Sequence, residues 1–361
     1  MRKSKDKKVK NLSVVAGSPN IKILSEIRGL IESVRVRVAS FANAELTMLY
    51  WRVGERIRRE ILKEKRAEYG LEIVPTLSGQ LVLDYGKGFE AKNLWRMIQF
   101  AESFPSEQIV VTLSRQLSWS HFVEILPVKD RLARDFYAEM CRIEGWNVRT
   151  LRAKIGGMLF ERTALSKKPE KLAKMELAKL REEDKLTPDL VFRDPYFLDF
   201  LGLKGAYQEK DIEAAILRDL EAFILEIGTG FSFLSRQKRM IIGGDDFYLD
   251  LLFYHRGLKR LVAIELKLGK FKAEYKGQME LYLRWLDKYE RKPGETHPLG
   301  LILCAGKSDE QVELLELGKS GIRVADYLTE LPSREVLEKK LNESIHLACL
   351  RLDDGRAKYG L

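Results

Sequence analysis

Apolar positions divide the chain into two halves with different periods. From about Ile21 to Phe160 they recur at helical spacing: Ile27, Leu30, Ile31, Val34 and Val38 keep it, AELTMLYWRVGERIRREI continues it, and no proline interrupts either stretch. Next, VPTLSGQLVLDYGKGFEAKNLWRMIQFAESFP predicts a helix capped at Thr76 or Ser78, a Gly86-Lys87-Gly88 turn and a second helix from near Glu90. That is a helix-turn-helix layout. In the second helix Leu94, Met97, Ile98 and Ala101 fall on one face and should meet the core. Lys92, Asn93 and Arg96 are then turned outward as a candidate DNA-reading face, although a glycine-turned helix pair also occurs in helical folds with no such role. His121, between Trp119 and Phe122, reads as a hydrogen-bonded structural histidine because no Ser-His-Asp arrangement accompanies it. Asn147 should cap the helix after Trp146.

From Ala164 to Lys185 the composition shifts to ALSKKPEKLAKMELAKLREEDK, which predicts a charged linker or a solvated helix. The second half then alternates. A long helix over DIEAAILRDLEAFILEIG precedes a strand in GFSFLSRQKRMII, a Gly243-Gly244-Asp245 turn and two further strands, FYLDLLFY and LVAIELKL. A helix over residues 272 to 289, a strand in PLGLILCA, a helix over 308 to 318 and a strand in IRVADYL complete an α/β order.

Those two middle strands carry the chemistry. They flank His255-Arg256-Gly257-Leu258-Lys259 and should pair as a hairpin. Side chains alternate across a strand, so Glu265 and Lys267 share a face with Ala263, while Val262, Ile264, Leu266 and Leu268 take the other. FYLDLLFY is apolar on both faces except at Asp250, as a covered central strand is, and an unpaired charge buried there would cost several kcal/mol. A divalent cation between the two carboxylates, balanced by Lys267, is the simplest compensation. The plainer alternative is a surface hairpin whose Glu and Lys form a solvated pair. A solvated face would alternate along the whole strand, however, and LVAIELKL is charged only towards its end.

Composition changes this picture in three places. A net charge of +10 favours a polyanionic partner such as nucleic acid, and the tail MRKSKDKKVK, with little apolar to bury, predicts a basic disordered arm. Cys141, Cys304 and Cys349 are widely spaced and the four histidines scattered, so reduced core thiols are expected rather than a zinc site. No run of eighteen apolar residues and no secretory leader is present, which makes a cytoplasmic location, with no membrane partner, the expectation.

Asp250, followed fifteen residues later by Glu265-Leu266-Lys267 on the second and third strands of an αβββαβ core, resembles the PD-(D/E)xK nuclease superfamily. The segments FILEIGTGFSFLSRQ, FYLDLLFYHR, LVAIELKLGKF, EYKGQMELYL and GLILC resemble its YhcG-type family more narrowly. So do LYWRVGERI, AEYG, YGKGFEAKNL, LSWSHF and ERTAL in the first half. The likeness runs from about residue 21 to 330, and Leu249 stands where the superfamily is variable and a proline precedes the aspartate in its name. The fold it implies is a restriction-endonuclease-like α/β domain with a mixed sheet, behind a mainly helical N-terminal domain. The organisation expected is a tail over 1–20, a helical DNA- or partner-binding domain over 21–162, a linker over 163–190, the nuclease domain over 191–330 and a helical extension over 331–361.

The resemblance also implies a metal-dependent deoxyribonuclease. Asp250, Glu265 and the Leu266 backbone carbonyl would hold Mg²⁺ or Mn²⁺, an all-oxygen set suited to a hard cation, and Lys267 would act on the attacking water. Such nucleases add a carboxylate from the first helix. Counting back along an antiparallel helix at about 1.5 Å per residue, against about 3.3 Å per residue in the strand, lands near Asp211 to Glu213 and selects Glu213. Glu221 and Glu226 then read as surface or capping groups. Gln278 and Tyr282 match the Q-x-x-x-Y element of RecB-like members, Gln237 is a candidate cleft residue, and Arg236, Lys238 and Arg239 are candidate phosphate contacts. Two other classes stand beside the nuclease: a non-cleaving nucleic-acid-binding protein, and a subunit active only within a larger assembly reached through the N-terminal domain. The last helix, SREVLEKKLNESIHLACLRL, carries an apolar stripe that would serve a homodimer or pack on its own domain.

Overall fold

The computed structural model describes residues 19–64, 67–203, 207–228 and 230–359, so the basic arm MRKSKDKKVK lies outside the described residues. Contacts divide the chain into two compact units between Trp119 and Ser120.

The first unit is helical: α1 (Pro19–Glu64), α2 (Ala67–Tyr85), α3 (Ala91–Ser103) and α4 (Glu107–Ser114). The two expected apolar stretches form one continuous helix, α1. Its first half is exposed, and it enters a core only from Thr47, Met48 and Trp51 onward. Helix α2 starts well before Thr76 and runs through Pro75, so neither Thr76 nor Ser78 caps it; the Thr76 hydroxyl donates to the Glu72 carbonyl (2.9 Å) instead. The Gly86 turn and α3 form as expected, with Leu94, Met97, Ile98 and Ala101 buried. Helix α3 crosses α1 at Gly54, where a Cβ would lie 1.8 Å from the Met97 carbonyl oxygen. Only glycine allows that approach.

The second unit opens with α5 (Trp119–Ile125), α6 (Arg131–Glu144), α7 (Val148–Gly156), α8 (Leu159–Arg162), α9 (Glu170–Glu183) and α10 (Pro188–Val191). Asn147 caps α7 by accepting from the Thr150 amide (2.9 Å), as its position predicts. His121 is bonded to the Trp146 carbonyl oxygen (3.0 Å), a structural contact. The segment expected to be a linker is built into this unit. Ala173, Leu177 and Leu180 form a buried stripe on α9, and Arg142 of α6 binds Asp184 (2.6 Å) and the Leu180 carbonyl (3.0 Å). Its many charges hide a short i, i+4, i+7 apolar face that packing uses fully.

The rest is an α/β layer: β1 (Tyr196–Phe197), α11 (Glu209–Arg218), α12 (Leu220–Ile227), β2 (Phe231–Ile242), β3 (Asp245–His255), β4 (Arg260–Lys270), α13 (Glu274–Tyr289), β5 (Leu299–Gly306), α14 (Asp309–Leu314), β6 (Ile322–Leu328) and α15 (Arg334–Tyr359). The six strands order as β1-β6-β5-β4-β3-β2. Strands β2, β3 and β4 form an antiparallel meander, and the remaining neighbours are parallel, which makes the sheet mixed. One face packs Val262, Ile264 and Leu266 under Ile212, Ile216 and Phe223 of the helices before the sheet. The other packs Ala263 and Ile302 under Met279, Tyr282 and Leu283 of α13. The predicted long helix is two, broken at Asp219 (φ −110°, ψ 39°). Cys141 and Cys304 are buried free thiols, and Leu337 and Leu341 of α15 pack beside Met158 of the same unit. Among the described residues no helix is long and apolar enough to cross a membrane.

Glu226 is neither a surface nor a capping group. Its carboxylate accepts from Arg193 (3.1 Å), Arg162 (2.5 Å) and the Phe197 amide (2.8 Å), both guanidinium groups being almost fully buried. Glu226→Ala would strand two buried cations, so a loss of about 3 kcal/mol and a melting temperature lower by on the order of 10 °C are expected in calorimetry. A melt within a degree or two of the parent would refute that role for the carboxylate.

Candidate active site

Three elements converge where the meander meets α11. Antiparallel pairing of Leu251 with Ile264 leaves Asp250 and Glu265 as the next residues across from each other on β3 and β4. The Asp250 carboxylate accepts from the Leu266 amide (2.9 Å), and Glu265 accepts from the Asp250 amide (3.4 Å). Glu265 is only 3% exposed. Burial first, and the Asp250 charge next, push its carboxyl up to about 7. Burial also raises Asp250, against the Leu266 amide and the Lys267 charge.

The Lys267 ammonium lies 3.1 Å from Glu265 and 4.0 Å from Glu209, above the Tyr275 ring at 5.3 Å. Burial pulls its pKa down, but Glu265 and the other carboxylates outweigh that and hold it above the ordinary lysine value. Lysine stays charged here. One cation thus faces a buried and a half-buried carboxylate from adjacent strands, an excess of negative charge that a hard cation would relieve.

Gln237 sits across from Asp250 on β2, between the pairs Arg236–Leu251 and Lys238–Leu249. Its φ of +43° is left-handed, a strained value for a non-glycine residue inside a strand. That backbone turns its amide nitrogen towards the cleft, where it donates to Glu213 (2.7 Å) and to Asp250 (3.1 Å). Glu213 is therefore joined to Asp250 through the Gln237 amide rather than lying beside the other carboxylates. Among the described residues no three acidic, histidine or cysteine side chains converge as they stand on one cation position. The donors that fit a cation are Asp250, Glu265 and the Leu266 carbonyl, with Glu213 one bridge away.

Gln278 donates to the Tyr282 hydroxyl (2.7 Å), which in turn donates to the Tyr248 carbonyl (3.4 Å), two residues before Asp250. The pair thus ties α13 to the strand that carries the aspartate. Of the candidate phosphate contacts, Arg236 is exposed. Lys238 is engaged by Glu290 (2.6 Å) and Arg239 by Asp246 (2.9 Å). In the first unit Lys92 is exposed, whereas Asn93 and Arg96 are half-buried and bonded to each other (3.3 Å).

Sequence reasoning missed Glu209. Its carboxylate accepts from the Leu268 amide (3.2 Å) beside Lys267. The available signal was its position one helical turn before Glu213, on the same face.

Residues 26–162 match the family described as the DUF1016 N-terminal domain, and residues 189–344 match the YhcG PDDEXK nuclease domain. The chain is 34% identical over 343 residues to a protein of Escherichia coli (strain K12) named "Putative nuclease YhcG", covering 86% of this chain and 91% of that one. Among solved structures, a repair endonuclease from Pyrococcus abyssi aligns over 36% of this chain with 23% identity and a TM-score of 0.25. EndoMS in a complex with double-stranded DNA aligns over the same share with 21% identity and a TM-score of 0.26. The chain spans about half the length of each, 50% and 49%.

Proposed function

Because the chain belongs to the YhcG family of PD-(D/E)xK nucleases, we propose that it hydrolyses DNA phosphodiester bonds with Mg²⁺ or Mn²⁺ held by Asp250, Glu265 and the Leu266 carbonyl. The observation that carries this reading is the opposed pair of half-buried Asp250 and buried Glu265, with the Lys267 ammonium 3.1 Å from Glu265. A bound divalent ion supplies charge neutralisation at the scissile phosphate and acidifies water. The rest falls to the chain. Lys267, kept charged by its carboxylate neighbours, orients the attacking water and stabilises negative charge developing on the phosphoryl oxygens. Water would displace the sugar oxygen in line, its proton passing to solvent while the departing sugar oxygen takes one up from solvent, and the charged ammonium would favour that loss without accepting the proton.

Gln237 holds Asp250 and Glu213 in one arrangement, and the Gln278–Tyr282 pair fixes the strand beneath them. Arg236, and Lys238 once released from Glu290, would contact the DNA backbone along the rim. Lys92, Asn93 and Arg96 are the proposed reading face of the first unit, with Lys92 the most open of the three. The net charge of +10 supports a nucleic-acid partner, and a DNA substrate supports a cytoplasmic location.

The test is to incubate the full chain with supercoiled and with linear single-stranded DNA in Mg²⁺, in Mn²⁺ and in EDTA. Nicking or degradation in either metal and none in EDTA is expected. DNA bound but uncut under every condition would overturn the reading of an autonomous nuclease.

A further inference from the structure

The first half of α1 carries a seam that its own unit does not use. Leu24, Ile27, Ile31, Val34, Val38 and Phe41 follow one another at alternating intervals of three and four residues and are 47%, 47%, 47%, 48%, 62% and 69% exposed. A three-four seam of this kind is one that helices bury by winding around each other, and Ile23 and Leu30 widen it on one side. The stripe ends where Met48 and Trp51 turn into the unit's own core. Leaving six large apolar side chains about half or more in water is unfavourable, and burying them would relieve it.

The flanking charges select the partner. Arg28 and Arg35 lie on one side of the seam, and Ile23 and Leu30 on the other. If the helix meets a copy of itself in parallel and in register, each arginine falls beside an apolar residue of the neighbour, Arg28 against Ile23 and Arg35 against Leu30, and Arg37 falls against Ala42. The arginine stems then cover the seam's edge while their heads stay in water. An antiparallel pairing centred on the same seam brings Arg28 against Arg35 of the neighbour, twice. Like charges would oppose it.

We propose that Leu24 to Phe41 is a self-association element that joins copies of this chain through a parallel coiled coil. It is independent of the active site and of the nuclease reading.

Light scattering on the full chain during size exclusion should give a mass of at least two 41.7 kDa chains. Ile31→Asp with Val34→Asp should return it to one chain, and Ile27→Ala with Ile31→Ala, which keeps helix propensity, should lower the mass at dilute concentration. Orientation is read by cysteine pairing in a Cys349→Ser background. Phe41→Cys should form an interchain disulfide on mild oxidation, whereas Ser33→Cys, off the seam, should not. A single-chain mass for the parent, an oligomer indifferent to both sets of seam variants, or equal cross-linking from positions 33 and 41 would each overturn the proposal. A monomer whose seam is covered by another part of the same chain would register as the first of these.

Discussion

Glu265→Gln is expected to lower metal-dependent DNA cleavage on the order of a thousandfold while leaving the fold intact. Glutamine keeps the shape but removes the charge that answers a cation, and Asp250 alone supplies one carboxylate. The same substitution has a second, opposite consequence for the metal-free protein. A glutamate in the unfolded chain titrates near 4.5, whereas Glu265 in the fold holds its proton up to about 7. Between those values the folded protein binds a proton that the unfolded chain has released, so stability falls as pH rises across the window, by up to about 3 kcal/mol. Glutamine cannot titrate, and its variant should lose that slope. Urea unfolding in EDTA at pH 5 and pH 8 reads the difference directly. Equal slopes in parent and variant, or cleavage retained within tenfold, would remove Glu265 from the centre of the site.

The meander was legible because its chemistry is local. Alternation in LVAIELKL sets Glu265 and Lys267 on one face, and the glycine turn at residues 243 and 244 and the polar turn at 255 to 259 fix which strands pair. Glu213 was picked by rise per residue among the first-helix carboxylates the resemblance implies, and the break at Asp219 does not disturb that count because it falls after Glu213 in the chain. Gln237 was legible as a residue facing the cleft but not in its role. Its bridge to Glu213 depends on a left-handed φ in mid-strand, and no residue type announces that for a glutamine. The same limit explains the segment over 163–190. Its charges are plain in the sequence, whereas the three-residue stripe of α9 acquires meaning only once α6 lies against it. Thr76 and Ser78 misled the reading of α2 for a related reason: residues of that type favour a helix start, yet the helix begins at Ala67 and carries them in its interior, after Pro75. On α1, helical period alone could not tell a core-facing stripe from a seam left in water. That distinction took the exposures.

Lys267→Met should separate two functions that Glu265→Gln removes together. The ammonium is 3.1 Å from Glu265 and 4.0 Å from Glu209, so its loss leaves the buried carboxylates more negative at any pH where they are ionised. Divalent ions should then bind at least as tightly as in the parent above pH 7, measured by calorimetric titration with Mn²⁺. Cleavage should nevertheless fall by about a hundredfold to ten-thousandfold, because the proposed mechanism gives the Lys267 ammonium the task of orienting the attacking water. Methionine matches the lysine stem in length and limits any effect on folding, although the ammonium contact over the Tyr275 ring is lost. Binding weakened tenfold would mean that the lysine organises the carboxylates rather than the water. Activity within threefold of the parent would mean that water is oriented and charge stabilised from elsewhere in the cleft. Tight binding with lost turnover is the result the geometry calls for: the carboxylates set the affinity, and the cation beside them sets the rate.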